Sequence, residues 1–224
     1  MTAVPESHHT VIAIDGPAAS GKSSVARLLA RRLDVAYVSS GLLYRAATLA
    51  ALRTSFDLAD EDALIELLGR HQVTLHADAH GNRVSIDGAD VTDELNTDAI
   101  DVAVSTVARH PRVRAWVTDR LREVQGSFVI DGRDMGTAVF PHARVKFFLT
   151  ADPEIRAARR AGERSGELRQ IAERLRKRDE QDALQSAPAT DAIFIDTGTL
   201  TLGQVVDEVL SRVQAVLPTG LDEK

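Results

Sequence analysis

The sequence predicts an α/β fold, a five-stranded parallel sheet with helices on both faces. Three observations predict it. Short apolar runs alternate along the chain with longer segments of helical periodicity. Several of those runs are apolar throughout, as strands covered on both faces must be. The chain of 224 residues, 44% hydrophobic and 27% charged, is long enough to bury a substantial core.

The elements follow in order. Val11–Asp15 is an apolar run closed by Gly16 and Pro17 and reads as a buried strand. A helix from Gly21 to Leu33 places Val25, Leu28, Leu29 and Leu33 at helical spacing. Val35–Val38 is a second strand, and Leu42–Arg53 and Glu61–Arg70 are helices, the latter opened by Asp60, Glu61 and Asp62. Gln72–His76 and Arg83–Asp87 alternate around a turn-forming cluster, Ala79-His80-Gly81-Asn82. That β-hairpin breaks the strand–helix rhythm and reads as an inserted module. Asp98–Ala108 and Arg112–Val124 are helical about Pro111, and Phe128–Asp131 and Val145–Leu149 are buried strands. Helices through Pro153–Arg160 and Glu167–Leu184, the second with Ile171, Leu175 and Leu184 inward, lead to a fifth strand, Ala192–Asp196. Leu202–Val216 closes the domain.

Composition excludes several classes. No cysteine is present, which removes disulfides, thiolate zinc sites and cysteine nucleophiles. A net charge of −6 does not suit a general nucleic-acid binder. No apolar run is long enough to span a bilayer, and MTAVPESHHT has neither the basic nor the apolar region of a signal peptide. A monomeric cytoplasmic protein with neither nucleic-acid nor membrane partners is expected. The charge is uneven. Residues 54–101 carry twelve acidic side chains and two basic ones, whereas residues 151–180 hold eight arginines and Lys177 against seven acids.

The chemistry sits in Gly16-Pro17-Ala18-Ala19-Ser20-Gly21-Lys22-Ser23, followed by Ser24. It matches G-x-x-x-x-G-K-[ST], between a strand and a helix as that motif requires. The glycines let backbone N–H groups turn toward phosphate oxygens, and the helix N-terminus adds positive potential. Lys22 would reach the β- and γ-phosphates of a nucleoside triphosphate, and the Ser23 hydroxyl would ligate Mg²⁺. A guanine-specific GTPase would need Asn-Lys-x-Asp, but Asn82 and Asn96 are followed by Arg83 and Thr97. A small kinase remains, with the arginine-dense Arg156–Arg178 stretch placed to act as a lid. A kinase of another small acceptor and a nucleotide-gated switch are the competing readings. ADP release with a panel of acceptors separates them.

Further motifs point to a family. Ser40-Gly41-Leu42-Leu43-Tyr44-Arg45, Pro111-Arg112-Val113-Arg114, Asp131-Gly132-Arg133-Asp134-Met135-Gly136-Thr137 and Arg178-Asp179-x-x-Asp182 occur in this order. With the phosphate loop they resemble bacterial cytidylate kinases over residues 11 to about 216. The resemblance implies ATP- and Mg²⁺-dependent phosphorylation of CMP and dCMP. It implies that Ser40, Arg45 and Arg133 surround the acceptor phosphate, and that Ser105, Arg114 and Asp134 meet the cytosine. Arg178 and Asp182 would meet the sugar, and Arg156 and Arg160 the transferring phosphates. Lys22, Arg133, Arg156 and Arg160 are thus the catalytic candidates. The implied organisation is a flexible 1–10, a core of 11–40, 109–155 and 188–217, a monophosphate-binding insert 41–108, a lid 156–187 and a tail 218–224. Two positions depart from the family pattern. Ser39 stands where an acid is usual, and Gln185 where an arginine is usual seven residues beyond Arg178. The segment before Pro188 is one residue short of the pattern, and Arg174 or Arg176 could compensate. His71, His76 and His80 read as surface residues, because positions five apart on a strand face opposite ways. Trp116 and Tyr44 read as packing residues.

Overall fold

The computed structural model describes residues 9–54, 56–163, 168–182 and 186–217. Its main sheet has the order β2–β6–β1–β7–β8, all parallel, from Ala36–Ser39, Phe128–Gly132, Val11–Asp15, Val145–Thr150 and Ile193–Asp196. The expectation of five parallel strands is met, with β2 one residue later than the apolar run suggested. Helices α1 (Lys22–Leu33) and α8 (Leu202–Val216) lie on one face, where Ile12, Ile14, Phe147 and Leu149 meet Val25, Leu29, Val206 and Val209. The α8 helix begins in a reciprocal cap between Thr201 and Gln204.

The other face carries the segment between β2 and β6. Helix α2 (Ser40–Arg53) starts directly at the end of β2, two residues earlier than its periodicity indicated. It packs with α3 (Glu61–Arg70), α4 (Asp98–Ala108) and α5 (Pro111–Arg122) around Leu43, Leu64, Leu68, Ile100 and Leu121. The hairpin, β3 (Val73–Ala77) and β4 (Asn82–Ile86), is longer by a third strand, β5 (Ala89–Asp90). Asp87 and Gly88 link β4 to β5 with φ of 52° and 82°, the mirror-image turn for which Asp-Gly is a strong signal. That signal is in the sequence, and the hairpin reading missed it. The hairpin is held to the main sheet where Tyr37 N–H donates to Asp78 O at 3.0 Å and Ser39 N–H to Asn82 Oδ1 at 3.0 Å. Asn82 therefore engages Ser39, the position at which the family usually has an acid.

Helices α6 (Pro153–Glu163) and α7 (Leu168–Asp182) form a pair above the carboxyl ends of the strands. Ile171 and Leu175 bury with Ala157 against Ala18 of the phosphate loop. The expectations for Leu184, Gln185 and the termini fall outside the described residues. His71 pairs with Asp87, Nδ1 to Oδ2 at 2.6 Å. Trp116 packs on the core beneath the Arg120 guanidinium, 3.8 Å from its ring centroid.

Candidate functional site

The carboxyl ends of β1, β2 and β6 meet below the α6–α7 pair, where open parallel sheets gather ligands. The loop Gly16–Gly21 leaves β1 here. Gly16 has φ of 150°, and a Cβ on it would lie 2.1 Å from Leu149 O, so only glycine fits. Gly21 takes the position before α1 with φ of 90°, and no side chain caps the helix. The first amides of α1 are thus offered to an external acceptor. Three cations hold the outer side of the loop. Arg133 Nη1 donates to Gly16 O at 2.6 Å, Lys22 Nζ to Pro17 O at 2.9 Å, and Arg156 Nη1 to Ala18 O at 3.1 Å. Three successive carbonyls are thus occupied by cations, and within the loop Ser20 N–H donates to Pro17 O at 3.4 Å.

Ser23 Oγ donates to Asp131 Oδ2 at 2.6 Å, and Tyr37 OH donates to Asp131 Oδ1 at 2.9 Å. Asp131 is buried at the end of β6. A hydroxyl and a carboxylate, both hard oxygen donors, meet beside the phosphate loop, a set that suits Mg²⁺ shared with substrate phosphates. Asp131 lay in a quoted motif without being singled out. Its signal was an acid ending an apolar strand. Burial, reinforced by the charges of Arg133 and Arg178, pushes Lys22 down to about 7, against the pull of Asp131 and Asp15.

The other predicted residues form three groups. Arg45 donates to Leu95 O at 2.8 Å and to Asp101 Oδ1 at 2.6 Å, while Arg160 Nη2 lies 3.4 Å from the second oxygen of Asp101. Arg133 Nη2 lies 3.0 Å and Arg178 Nε 3.7 Å from Asp182 Oδ2. Arg178 is pushed down to about 10, by burial first and then by Arg133. Arg45 and Asp101 also act on Arg178, so the first two groups share one field. The third group is the ion pair of Arg114 with Asp134, with Arg114 also on Ala108 O at 3.1 Å and 5.8 Å from the centroid of buried Tyr44. Ser105 is buried on α4.

Ser40 and Arg156, like Lys22, Arg45 and Arg133, have protein partners in this structure. Ser40 is buried, and its hydroxyl donates to Asp131 O at 2.8 Å, pinning the start of α2 to β6. Arg156 is 6% exposed and ties α6 to Ala151 O, to Ala18 O and, at 2.6 Å, to Asp179. Arg159 was not anticipated. It reaches Thr197 Oγ1 at 2.9 Å and Thr197 O at 2.5 Å, at the rim of a cavity of about 340 Å³ beside Gly21, Ser24 and Leu202. Its spacing of three residues from Arg156 was the available signal.

The family model described as cytidylate kinase matches residues 12–215. The chain belongs to the cytidylate kinase family. The cytidylate kinase of Thermus thermophilus is 55% identical over 204 residues, 91% of this chain and 98% of its own length. That of Deinococcus radiodurans is 51% identical over 203 residues, with the same coverage. Among solved structures, an uncharacterized protein from Eubacterium ventriosum aligns with a TM-score of 0.53 at 14% identity, covering 92% of this chain and 99% of its own. A gluconokinase from Sinorhizobium meliloti gives 0.52 at 15% identity, covering 94% and 96%. These two likenesses show the fold alone. For the cytidylate kinase family, a site divided between a phosphate loop and an arginine cluster matches transfer between two nucleotides.

Proposed function

We propose that the protein transfers the γ-phosphoryl group of ATP to CMP and dCMP, producing ADP with CDP or dCDP. The observation that carries this reading is the Arg114–Asp134 pair, a donor beside an acceptor one residue on from the Arg133 that holds the phosphate loop, in a chain of this family. The loop amides and Lys22 bind the donor phosphates, and the cavity beside Arg159 and Thr197 takes the donor base. Arg45 and Arg133 take the acceptor phosphate, Arg178 with Asp182 meets the sugar, and Arg160 meets the transferring phosphates. Transfer passes through a loose state with charge spread over the equatorial oxygens, so these residues contribute positioning and charge more than bond-making. Asp101 and Asp182 hold the guanidinium groups in place by ion pairing. Ser23 and Asp131 would hold Mg²⁺, which neutralises phosphate charge when bound. Asp134 accepts from the cytosine amine and Arg114 donates to its N3 or O2. The α6–α7 pair is the lid that excludes water, and residues 41–108 form the monophosphate-binding insert.

Small nucleotides are the partners proposed for this monomeric, cytoplasmic enzyme. The net charge of −6 supports small nucleotides over nucleic acid as partners. Among the described residues no helix is long and apolar enough to cross a membrane. Coupled measurement of ADP release across nucleoside monophosphates and hydroxy acids tests the reading. CMP and dCMP should lead the panel, and turnover independent of CMP would overturn it.

Lys22 also gives a pH prediction. Its pKa in the fold, about 7, lies below the ordinary 10.5, so the unfolded chain binds more protons between those values and stability rises with pH across that window. A triphosphate beside the ammonium favours the charged form. ATP binding at about pH 8, where ATP is already fully ionised, should therefore take up most of one proton. Calorimetry in buffers of different ionisation enthalpy measures it, and binding enthalpies that do not depend on the buffer would contradict it.

A further inference from the structure

We infer that Asp15 is a positioning residue for base recognition, and that it acts by taking over a capping task that would otherwise occupy Asp134. This rests on the reading of Asp134 given above. Met135–Val139 forms one wide helical turn, and Asp134 stands at its cap position. An aspartate there ordinarily folds back to accept from the second or third amide of the turn. Asp134 makes no such bond, and its carboxylate is paired with Arg114.

The amides are satisfied from a remote part of the chain. Asp15 Oδ1 accepts from Met135 N–H at 2.9 Å and Oδ2 accepts from Gly136 N–H at 2.8 Å, across 120 and 121 residues of sequence. Both oxygens of a carboxylate only 5% exposed are committed to one turn. A Cβ on Gly136 would lie 3.1 Å from Lys146 Cδ and 3.4 Å from Asp15 Oδ2, so the carboxylate sits close against this turn. Burial raises the Asp15 pKa to about 6, and these same amides draw it back toward the ionised form that can accept twice. With the Gly136 amide taken by Asp15 and the Thr137 amide by the Asp134 carbonyl at 3.3 Å, the Asp134 carboxylate is left to Arg114. The same residue ends β1 and precedes Gly16, so one carboxylate joins the donor loop to the base-reading turn.

Asp15→Asn tests this, because an amide offers one oxygen and sets an NH₂ group against the second N–H. We compare kcat/KM for CMP and UMP in the wild type, Asp15→Asn, Asp134→Ala and the double variant. Asp15→Asn should lower the CMP-to-UMP ratio by about tenfold or more, toward the Asp134→Ala value. In the Asp134→Ala background it should leave that ratio unchanged. A merely structural role would lower both substrates alike, and that result, or full additivity in the double variant, would overturn the inference. If Asp15→Asn does not fold, Asp15→Glu keeps the charge but shifts both oxygens off the two N–H groups and should lower the same ratio. The amide proton resonances of Met135 and Gly136 report the two hydrogen bonds without reference to substrate. They should move upfield in Asp15→Asn, and unmoved resonances would also overturn it. A wild type that does not prefer CMP would instead overturn the substrate reading.

Discussion

Lys22→Ala is expected to lower kcat by about 10²–10³-fold, from the loss of about 3–4 kcal/mol of charge stabilisation at the phosphates. The fold should survive the change. The hydrogen bond made by Nζ is to the carbonyl of Pro17, and burial already works against the ammonium, so the unliganded protein loses little with it. Thermal unfolding within a few degrees of wild type, beside collapsed turnover in the ADP-release assay, is the expected pair of results. Turnover near wild type would remove the role assigned to the phosphate loop.

Asp134→Ala is expected to narrow the preference for CMP over UMP. A carboxylate only accepts, so it suits the cytosine 4-amino group and repels the uracil 4-carbonyl. Each mispaired buried group costs about 1–3 kcal/mol, so CMP efficiency should fall about 10–100-fold. UMP efficiency should change much less. Steady-state kinetics on the two substrates measures this. Equal losses would mean that Asp134 supports the fold or the phosphate site and does not read the base.

The phosphate loop and the Asp131–Thr137 run were legible because contiguous residues carry them, whereas the pairing of Asp134 with Arg114, 20 residues earlier on α5, was not read from the sequence. Gly16 to Ser23 stand together within one strand–loop–helix unit, and Asp131 to Thr137 follow one buried strand. What the sequence hid were partners set by tertiary packing. Asp15 reads as the polar end of a strand until β1 is laid beside β6, which brings it under Met135 and Gly136. Asp101 lies in an acidic stretch that looks like solvated surface, yet α4 turns it toward Arg45 and Arg160. Ser40 matched a phosphate-contacting position, but its hydroxyl meets a carbonyl of the adjacent strand, a competitor that motif order cannot reveal. The β5 strand is a different case. Asp87-Gly88 announced its turn, and a partner strand of two residues is too short to show periodicity.

The three cations on the carbonyls of Gly16, Pro17 and Ala18 come from α1, from the turn after β6 and from α6. The anion-binding shape of the loop is therefore not a portable property of its eight residues. A fragment carrying β1, the loop and α1 would keep Lys22 and lose both arginines, leaving two carbonyls free to rotate toward the space the phosphates need. For the same reason, exchanging α6 or the Arg133 turn between relatives alters a surface that neither segment contributes to the motif. The working unit is the loop together with its distant guanidinium groups, and substitutions at these separated positions have to be compatible with one another.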